Sequence, residues 1–350
     1  MMRSNYAVVL AVAISLAAGA CSNKKAEEDA AAAAAAAKAA LVTDALSAVH
    51  PKMAAAAKVV DWDGNVLKEG TGAYTCLPSP EGLLGAGGAA PMCMDHHWMG
   101  WADAWANHKE FTAGGLGISY MLAGDGGASN IDPYATAETP DNQWVTEGPH
   151  LMVIVPDAAM LEGISTDPQN GGPYVMWKGT PYAHVMVPVN IPPKASIDNK
   201  VADALSAANV AMAAYAKVVD WDGTVLKEGS GAYACMPSPA ELLSAGISSP
   251  MCMDQHWMAW GDAWMNHKPF TAGGLGISYM LAGDGGASNI DPYATAETPD
   301  NQWVVEGPHL MILVPDPAML EGISTDPQNG GPYVMWMGTP YAHVMVPVAN

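Results

Sequence analysis

The sequence contains very little positive charge. Its 350 residues include 14 Lys and Arg against 35 Asp and Glu, which gives a formal net charge of −21 at pH 7. The only arginine is Arg3. Proteins that bind nucleic acid neutralise its phosphates with clustered Lys and Arg side chains. The composition therefore excludes nucleic acid as a partner.

Common catalytic signatures are also missing. The sequence has no G-x-S-x-G, H-E-x-x-H, P-loop or dinucleotide-binding glycine pattern. It has no C-x-x-C either, so neither a zinc knuckle nor a redox pair is indicated. One enzyme alternative stays open, because His150 or His184 could pair with Asp125 in the folded chain as an acid–base couple of a hydrolase-like site.

The first 20 residues have the pattern of an export signal. Arg3 precedes an apolar run at 6–18 that is too short to span a bilayer as a stable helix. The sequence Ala-Gly-Ala-Cys that ends at Cys21 fits either ordinary signal peptidase or a lipoprotein site at which Cys21 is acylated. It resembles bacterial lipoprotein signals, although Ala18 stands where these usually have Leu. We predict a signal peptide at 1–20 and lipidation of Cys21.

The segment that follows Cys21 reads as a tether. Residues 21–41 are rich in alanine, which favours helix but buries little surface. Ser22 resembles the residue that directs lipoproteins to the outer membrane, so we expect a protein anchored to that membrane through Cys21 and facing the periplasm or the cell surface. A secreted soluble protein is the alternative.

The four remaining cysteines divide evenly along the chain. Each half has two that are 17 residues apart, and exported proteins favour paired cysteines. We predict two structural disulfides, Cys76–Cys93 and Cys235–Cys252.

The chain after the tether consists of two tandem copies of one sequence unit. Residues 42–189 realign with 201–348 at a constant offset of 159, and 58–189 differs from its copy at 20 of 132 positions. We therefore predict two tandem domains at 42–189 and 201–348, joined by a linker at 190–200 whose two adjacent prolines keep it extended.

Hydrophobic patterning predicts an α+β domain with a mainly antiparallel sheet. A stripe of Met94, Trp98, Trp101 and Trp105 indicates a Trp-lined helix at 94–109, with Asp95 as its N-cap. A further helix is expected at 203–217, and its copy at 44–58 should break at His50-Pro51. A short helix is expected at 158–163 and strands at 58–63, 66–69, 73–77, 118–122, 151–155, 174–177 and 184–187.

Histidine and methionine supply the chemistry that this composition offers. Residues two apart on a strand project from the same face, so an H-x-M pattern presents an imidazole beside a thioether. These are ligands for a soft metal such as copper(I) where thiolates are absent. The pattern resembles the H-x-M elements of periplasmic copper chaperones over a few residues. It predicts metal ligands at His150, Met152, His184, Met186, His309, Met311, His343 and Met345.

The long loop at 124–143 offers a second, less favoured metal hypothesis. Its Asp125, Asp132, Glu138 and Asp141 are oxygen ligands suited to calcium, but their spacing matches no EF-hand. We interpret the segment as a loop rich in Asx turns that packs on the sheet.

Several strings, among them PMCMD, GDGGASNIDP, TPDNQWV and GTPYAHVMVPV, resemble those of uncharacterised exported bacterial proteins that usually carry a single copy of this unit. The resemblance implies the extent of the unit and no activity. Together these observations predict a lipid-anchored envelope binding module that binds a soft metal, with an envelope protein as its other possible partner. The alternatives are an envelope interaction protein without metal and the hydrolase-like enzyme.

Overall fold

The computed structural model describes the backbone of residues 7–349 and the side chains of residues 24–349. The predicted signal peptide and Cys21 lie among residues whose side chains fall outside this description. A single helix, α1, covers Ala7–Leu46, and its alanine-rich part at 24–40 is exposed. Among the described residues, no helix is both long enough and apolar enough to cross a membrane.

The first repeat contains helices α1 to α4 and strands β1 to β10. After α1, these elements are α2 Pro51–Ala56, β1 Lys58–Val60, β2 Val66–Lys68, β3 Thr75–Leu77, α3 Glu81–Gly85, β4 Met92–Met94, α4 His96–Ala106, β5 Gly117–Met121, β6 Ala128–Ser129, β7 Trp144–Val145, β8 His150–Ile154, β9 Tyr174–Met176 and β10 His184–Pro188. Two 3₁₀ turns at Ala158–Leu161 and Pro168–Asn170 connect β8 to β9.

The second repeat follows the same plan. Its elements are α5 Lys200–Leu205, α6 Val210–Tyr215, β11 Lys217–Val219, β12 Val225–Lys227, β13 Ala234–Met236, α7 Ala240–Ser244, β14 Met251–Met253, α8 Gln255–Met265, β15 Gly276–Met280, β16 Ala287–Ser288, β17 Trp303–Val304, β18 His309–Leu313, β19 Tyr333–Met335 and β20 His343–Pro347. A 3₁₀ turn at Pro317–Leu320 lies between β18 and β19.

Each repeat forms an eight-stranded sheet, with order β2-β1-β3-β4-β5-β8-β10-β9 in the first and the equivalent order in the second. All neighbouring strands of the first sheet are antiparallel except β1 and β3, which run parallel. The prediction of an α+β chain made of two mainly antiparallel domains is confirmed.

The inner faces of both sheets belong to one core. Val153 and Val185 of the first sheet lie in the same cluster of buried residues as Ile312 and Val344 of the second. The central strands β5, β8 and β10 are buried at every position. Such strands are covered on both faces, which explains why their sequences are continuous apolar runs without alternation.

A Trp-lined helix covers the outer face of each sheet, as predicted. Asp95 caps α4 by accepting a hydrogen bond from the Trp98 amide at 2.9 Å. Trp98 and Trp101 are buried, and they form a separate outer core with the methionines of the sheet. Helix α8 packs on the second sheet in the same way.

Both predicted disulfides are present. Cys76 and Cys93 are directly opposed on the antiparallel strands β3 and β4, and Cys235 and Cys252 occupy the same places on β13 and β14. The bonds are consistent with export to an oxidising compartment.

The predicted helix at 203–217 was wrong as a single element. The segment is divided into α5 and α6. Asn209 is the N-cap of α6, and its Oδ1 accepts hydrogen bonds from the Ala211 and Met212 amides. The predicted break in the first repeat is confirmed, because α1 ends at Leu46 and α2 begins at Pro51. Strand β4 and the small β6–β7 hairpin were not predicted.

Candidate functional site

His150 lies at the start of β8 on the outer face of the first sheet. Its side chain is fully buried, and Nδ1 lies 2.7 Å from the Gly148 carbonyl oxygen. A carbonyl oxygen only accepts, so Nδ1 carries a proton and donates it in this contact. Among the described residues, the buried Nε2 of His150 has no hydrogen-bond partner.

Methionines surround His150 on the same face. Met121 is directly opposite it on β5, and Met152 follows it by two positions along β8. Directly opposed residues have Cβ atoms about 4.5–5.5 Å apart. Met152 in turn pairs directly with Met186 of β10. The strand pairing therefore places Met121, Met152 and Met186 on the same face of the sheet as His150.

His184 occupies a different environment. Its ring packs edge-on against three tryptophans, with centroid distances of 5.5 Å to Trp98, 5.6 Å to Trp101 and 5.1 Å to Trp177. Its Nδ1 lies 2.9 Å from the Tyr182 carbonyl oxygen. Complete burial lowers the pKa of His184 to about 4, so the imidazole is neutral at physiological pH.

The structure does not bring all four predicted ligands of a domain to one point. Met152 and Met186 meet across β8 and β10, but His150 pairs with Pro188. His184 lies four residues from Pro188 along β10, a separation of about 13 Å at the rise of a β-strand. The nearest methionines of His184 on this face are Met176, directly opposite, and Met186, two residues on, so the two histidines flank the Met152–Met186 pair.

The second domain repeats this arrangement. The Nδ1 atoms of His309 and His343 contact the Gly307 and Tyr341 carbonyl oxygens at 2.7 and 2.9 Å. His309 is opposite Met280, and Nε2 of His309 is buried without a partner among the described residues. Met311 pairs with Met345 across β18 and β20.

Met121 and Met280 were not predicted as members of the site. They end the strand sequence GISYM, which carries no His-x-Met pattern. Only the pairing of β5 with β8, and of β15 with β18, places them opposite His150 and His309.

The predicted pairing of Asp125 with a histidine does not form. Asp125 Oδ1 accepts hydrogen bonds from the Gly127 and Glu147 amides, both at 2.9 Å. The Nδ1 atoms of His150 and His184 are instead used on backbone carbonyls. This carboxylate therefore holds the backbone of the loop through the Gly127 and Glu147 amides.

Asp132, a second acidic residue of the 124–143 loop, also accepts a hydrogen bond from a backbone amide. Asp132 accepts from the Tyr134 amide at 2.9 Å, which is an Asx turn, while Glu138 and Asp141 are exposed. Within the described part of the chain, no group of three or more His, Cys, Asp or Glu residues is arranged to hold a metal. The interpretation of this segment as a loop rich in Asx turns is confirmed.

Comparisons with protein families, with curated proteins and with solved structures found no match for this chain.

Proposed function

We propose that the protein is an exported, lipid-anchored envelope module that binds copper(I) at one site in each domain. The proposal assigns His150, Met121, Met152 and Met186 to the first site, and His309, Met280, Met311 and Met345 to the second. His184 and His343, predicted as ligands from their H-x-M pattern, are assigned to the packing of the tryptophan helices.

The buried, unpartnered Nε2 atom of His150 carries this proposal. A metal-binding histidine typically donates its other ring N–H to a backbone carbonyl, which fixes the tautomer, and His150 makes this contact with Gly148. The neighbouring thioethers favour a soft monovalent ion, and the disulfides leave no thiolate in the domain to compete. Such an ion does not require a cluster of acidic side chains, because thioether and imidazole ligands are neutral.

A titration of the full chain with copper(I) tests the proposal. Under anaerobic conditions, with ascorbate to keep the copper reduced without cleaving the disulfides, and in competition with a chromophoric copper(I) chelator, the protein should bind two equivalents. The double variant Met152→Leu/Met311→Leu should bind at least about tenfold more weakly, because it removes one thioether per site while conserving core volume.

Met94→Leu/Met253→Leu is the matched control. Met94 and Met253 are buried in the same outer cores but lie on β4 and β14, which do not pair with the strands that carry His150 and His309. Copper affinities that are the same in both double variants, or a wild-type chain that leaves the chelator fully loaded, would contradict the proposal.

The lipid anchor has its own test. Cys21→Ser should abolish labelling of the protein by a radioactive fatty acid and move it from the membrane fraction to the soluble fraction. Unchanged labelling of the variant would show that Cys21 is not the acylated residue.

A further inference from the structure

Two clefts lie between the domains. Cleft A has a volume of about 440 Å³. It is lined by several separate residues between positions 53 and 118 of the first domain and between 321 and 332 of the second. Cleft B, its counterpart, has a volume of about 560 Å³. It is lined by several separate residues between positions 162 and 173 of the first domain and between 212 and 277 of the second. Both volumes lie in the range of small-molecule sites.

Each cleft is incomplete without the other domain. In cleft A, a Cβ atom at Gly331 of the second domain would lie 3.1 Å from Met53 Cε and 3.7 Å from Tyr74 Cε2. In cleft B, a Cβ atom at Gly172 of the first domain would lie 3.3 Å from Met212 Cε and 3.5 Å from Tyr233 Cε2. Both clefts therefore depend on the presence of two domains, because each cleft is lined by residues of both.

A tyrosine on the wall of each cleft has an unused hydroxyl group. Tyr74 in cleft A and Tyr233 in cleft B are each only 8 % exposed. Their rings pack edge-on against Tyr120 and Tyr279. The described residues supply no hydrogen bond to either hydroxyl, so both are available to a ligand.

The charge of both clefts is negative. Cleft A contains Asp95 and Glu321, cleft B contains Asp254, Glu162 and Asp167, and the described lining of either cleft includes no Lys or Arg. Asp95 uses its oxygens on the Trp98 and Ile118 amides, whereas Glu321 and Glu162 are exposed at the rims. Burial lowers the pKa of His97 in cleft A, which favours its neutral form.

Apolar side chains form one part of the wall of each cleft. Leu116, Ile118 and Met53 line cleft A, and Leu275, Ile277 and Met212 line cleft B. Each cleft therefore combines an apolar surface, a tyrosine ring whose face attracts cations, and an exposed carboxylate.

We infer that both clefts bind a small organic cation, an amine with an apolar or aromatic body. The ammonium group binds Glu321 or Glu162 and donates to the hydroxyl of Tyr74 or Tyr233. Its apolar part packs on the Leu and Ile side chains. The residues that line the clefts include none of the proposed copper(I) ligands, so this inference stands independently of the proposed metal binding.

Calorimetric titration of the full chain tests the inference with three probes that share an aromatic ring and differ in charge. The probes are benzylammonium, the neutral benzyl alcohol and the anionic benzoate. We expect benzylammonium to bind at two sites per chain, benzyl alcohol to bind more weakly and benzoate not to bind.

Variants of the rim carboxylates locate the sites. Glu162→Gln/Glu321→Gln should weaken benzylammonium binding about fivefold. The control Glu138→Gln/Glu297→Gln removes the same charge from exposed loops outside the clefts and should leave affinity unchanged. Tyr74→Phe/Tyr233→Phe should also weaken binding while keeping the rings in place. Absence of benzylammonium binding, equal affinity for the three probes, or equal affinities of the two glutamine variants would overturn the inference.

Discussion

Each strand histidine is buried and contacts a backbone carbonyl oxygen through Nδ1. In the first domain, His150 and His184 both donate Nδ1–H to a carbonyl oxygen two residues earlier in the chain. For His184, burial also lowers the pKa to about 4, and for its copy His343 the same cause gives the same result. The imidazoles of His184 and His343 are therefore neutral at physiological pH while the chain is folded.

This shift predicts a loss of stability in mild acid. The unfolded imidazole has its ordinary pKa near 6.5, so between about pH 6.5 and pH 4 the unfolded chain binds protons that the folded chain excludes. The stabilisation is fully present above pH 6.5 and is lost as the pH falls. By pH 5 the free energy of unfolding should decrease by about 2 kcal/mol for each of His184 and His343.

Urea unfolding at pH 7.5 and pH 5 measures this effect. His184→Gln/His343→Gln should have a shallower dependence on pH than the wild type, whatever its stability at pH 7.5. His108→Gln/His267→Gln, which changes two exposed histidines, should keep the wild-type dependence. The same pH dependence in all three proteins would contradict the account.

At this scale the sequence predicted which residues share a face but not which residues meet. The two-residue spacing of His150 and Met152 correctly places both on the outer face of β8. Their neighbours depend on the register of β8 with β5 and β10, which sets His150 opposite Met121 and Pro188. Register is a property of pairing between distant segments, and no local pattern in the strands encodes it.

At the scale of elements, Asp95 connects helix α4 to the sheet beneath it. Its Oδ1 accepts from the Trp98 amide at 2.9 Å and its Oδ2 from the Ile118 amide at 2.6 Å. One side chain therefore caps the helix and also accepts a hydrogen bond from a backbone amide near the start of β5. Asp254 makes the same two contacts in the second domain.

Removal of this carboxylate should be costly. Asp95→Ala loses the helix cap, worth about 1 kcal/mol, and leaves the Ile118 amide without its partner, which costs a further 1–3 kcal/mol or so. We expect the free energy of unfolding, measured by chemical denaturation, to fall by about 2–4 kcal/mol.

Asp157→Ala provides the comparison. Asp157 caps an exposed 3₁₀ turn through the Ala159 amide alone, so its loss should cost about 1 kcal/mol or less. If Asp95→Ala is no more destabilising than Asp157→Ala, the double role of Asp95 is wrong.

Predictions of elements succeeded where a local signal was strong. The His50-Pro51 pair marked the end of one helical segment, and the stripe of Trp98, Trp101 and Trp105 marked α4. The break before Asn209 was missed although asparagine favours N-caps over helix interiors, because the apolar pattern continues across it. In the structure Asn209 caps α6 and also donates to the Gly171 carbonyl oxygen of the other domain. Strand β4 was missed because three residues between a proline and a helix carry too little pattern.

At the scale of the whole molecule, the two domains share their main hydrophobic core. The inner faces of both sheets contribute to a single cluster of buried residues, and Asn209 Nδ2 of the second domain donates to the Gly171 carbonyl oxygen of the first at 3.0 Å. The duplication in the sequence indicated two similar units, but it carried no signal for their packing. The uninterrupted apolar strands were the one hint that both faces of each sheet are covered.

Because of this shared core, the domains should unfold together. Trp101→Phe and Trp260→Phe each remove one buried indole from one outer core, so tryptophan fluorescence in each variant reports more strongly on the other domain. Fluorescence of both variants and far-UV circular dichroism should give one coincident transition in denaturant. Two transitions with different midpoints would show that each domain is stable alone.

The central claim is that copper(I) binds a buried imidazole and thioethers on the outer face of each sheet. X-ray absorption spectroscopy at the copper K-edge of the loaded full chain tests it most directly. We predict a first coordination shell that contains both nitrogen and sulfur, with less sulfur in Met152→Leu/Met311→Leu than in Met94→Leu/Met253→Leu. A shell of nitrogen and oxygen alone, as exposed histidines and carboxylates would provide, would contradict the claim.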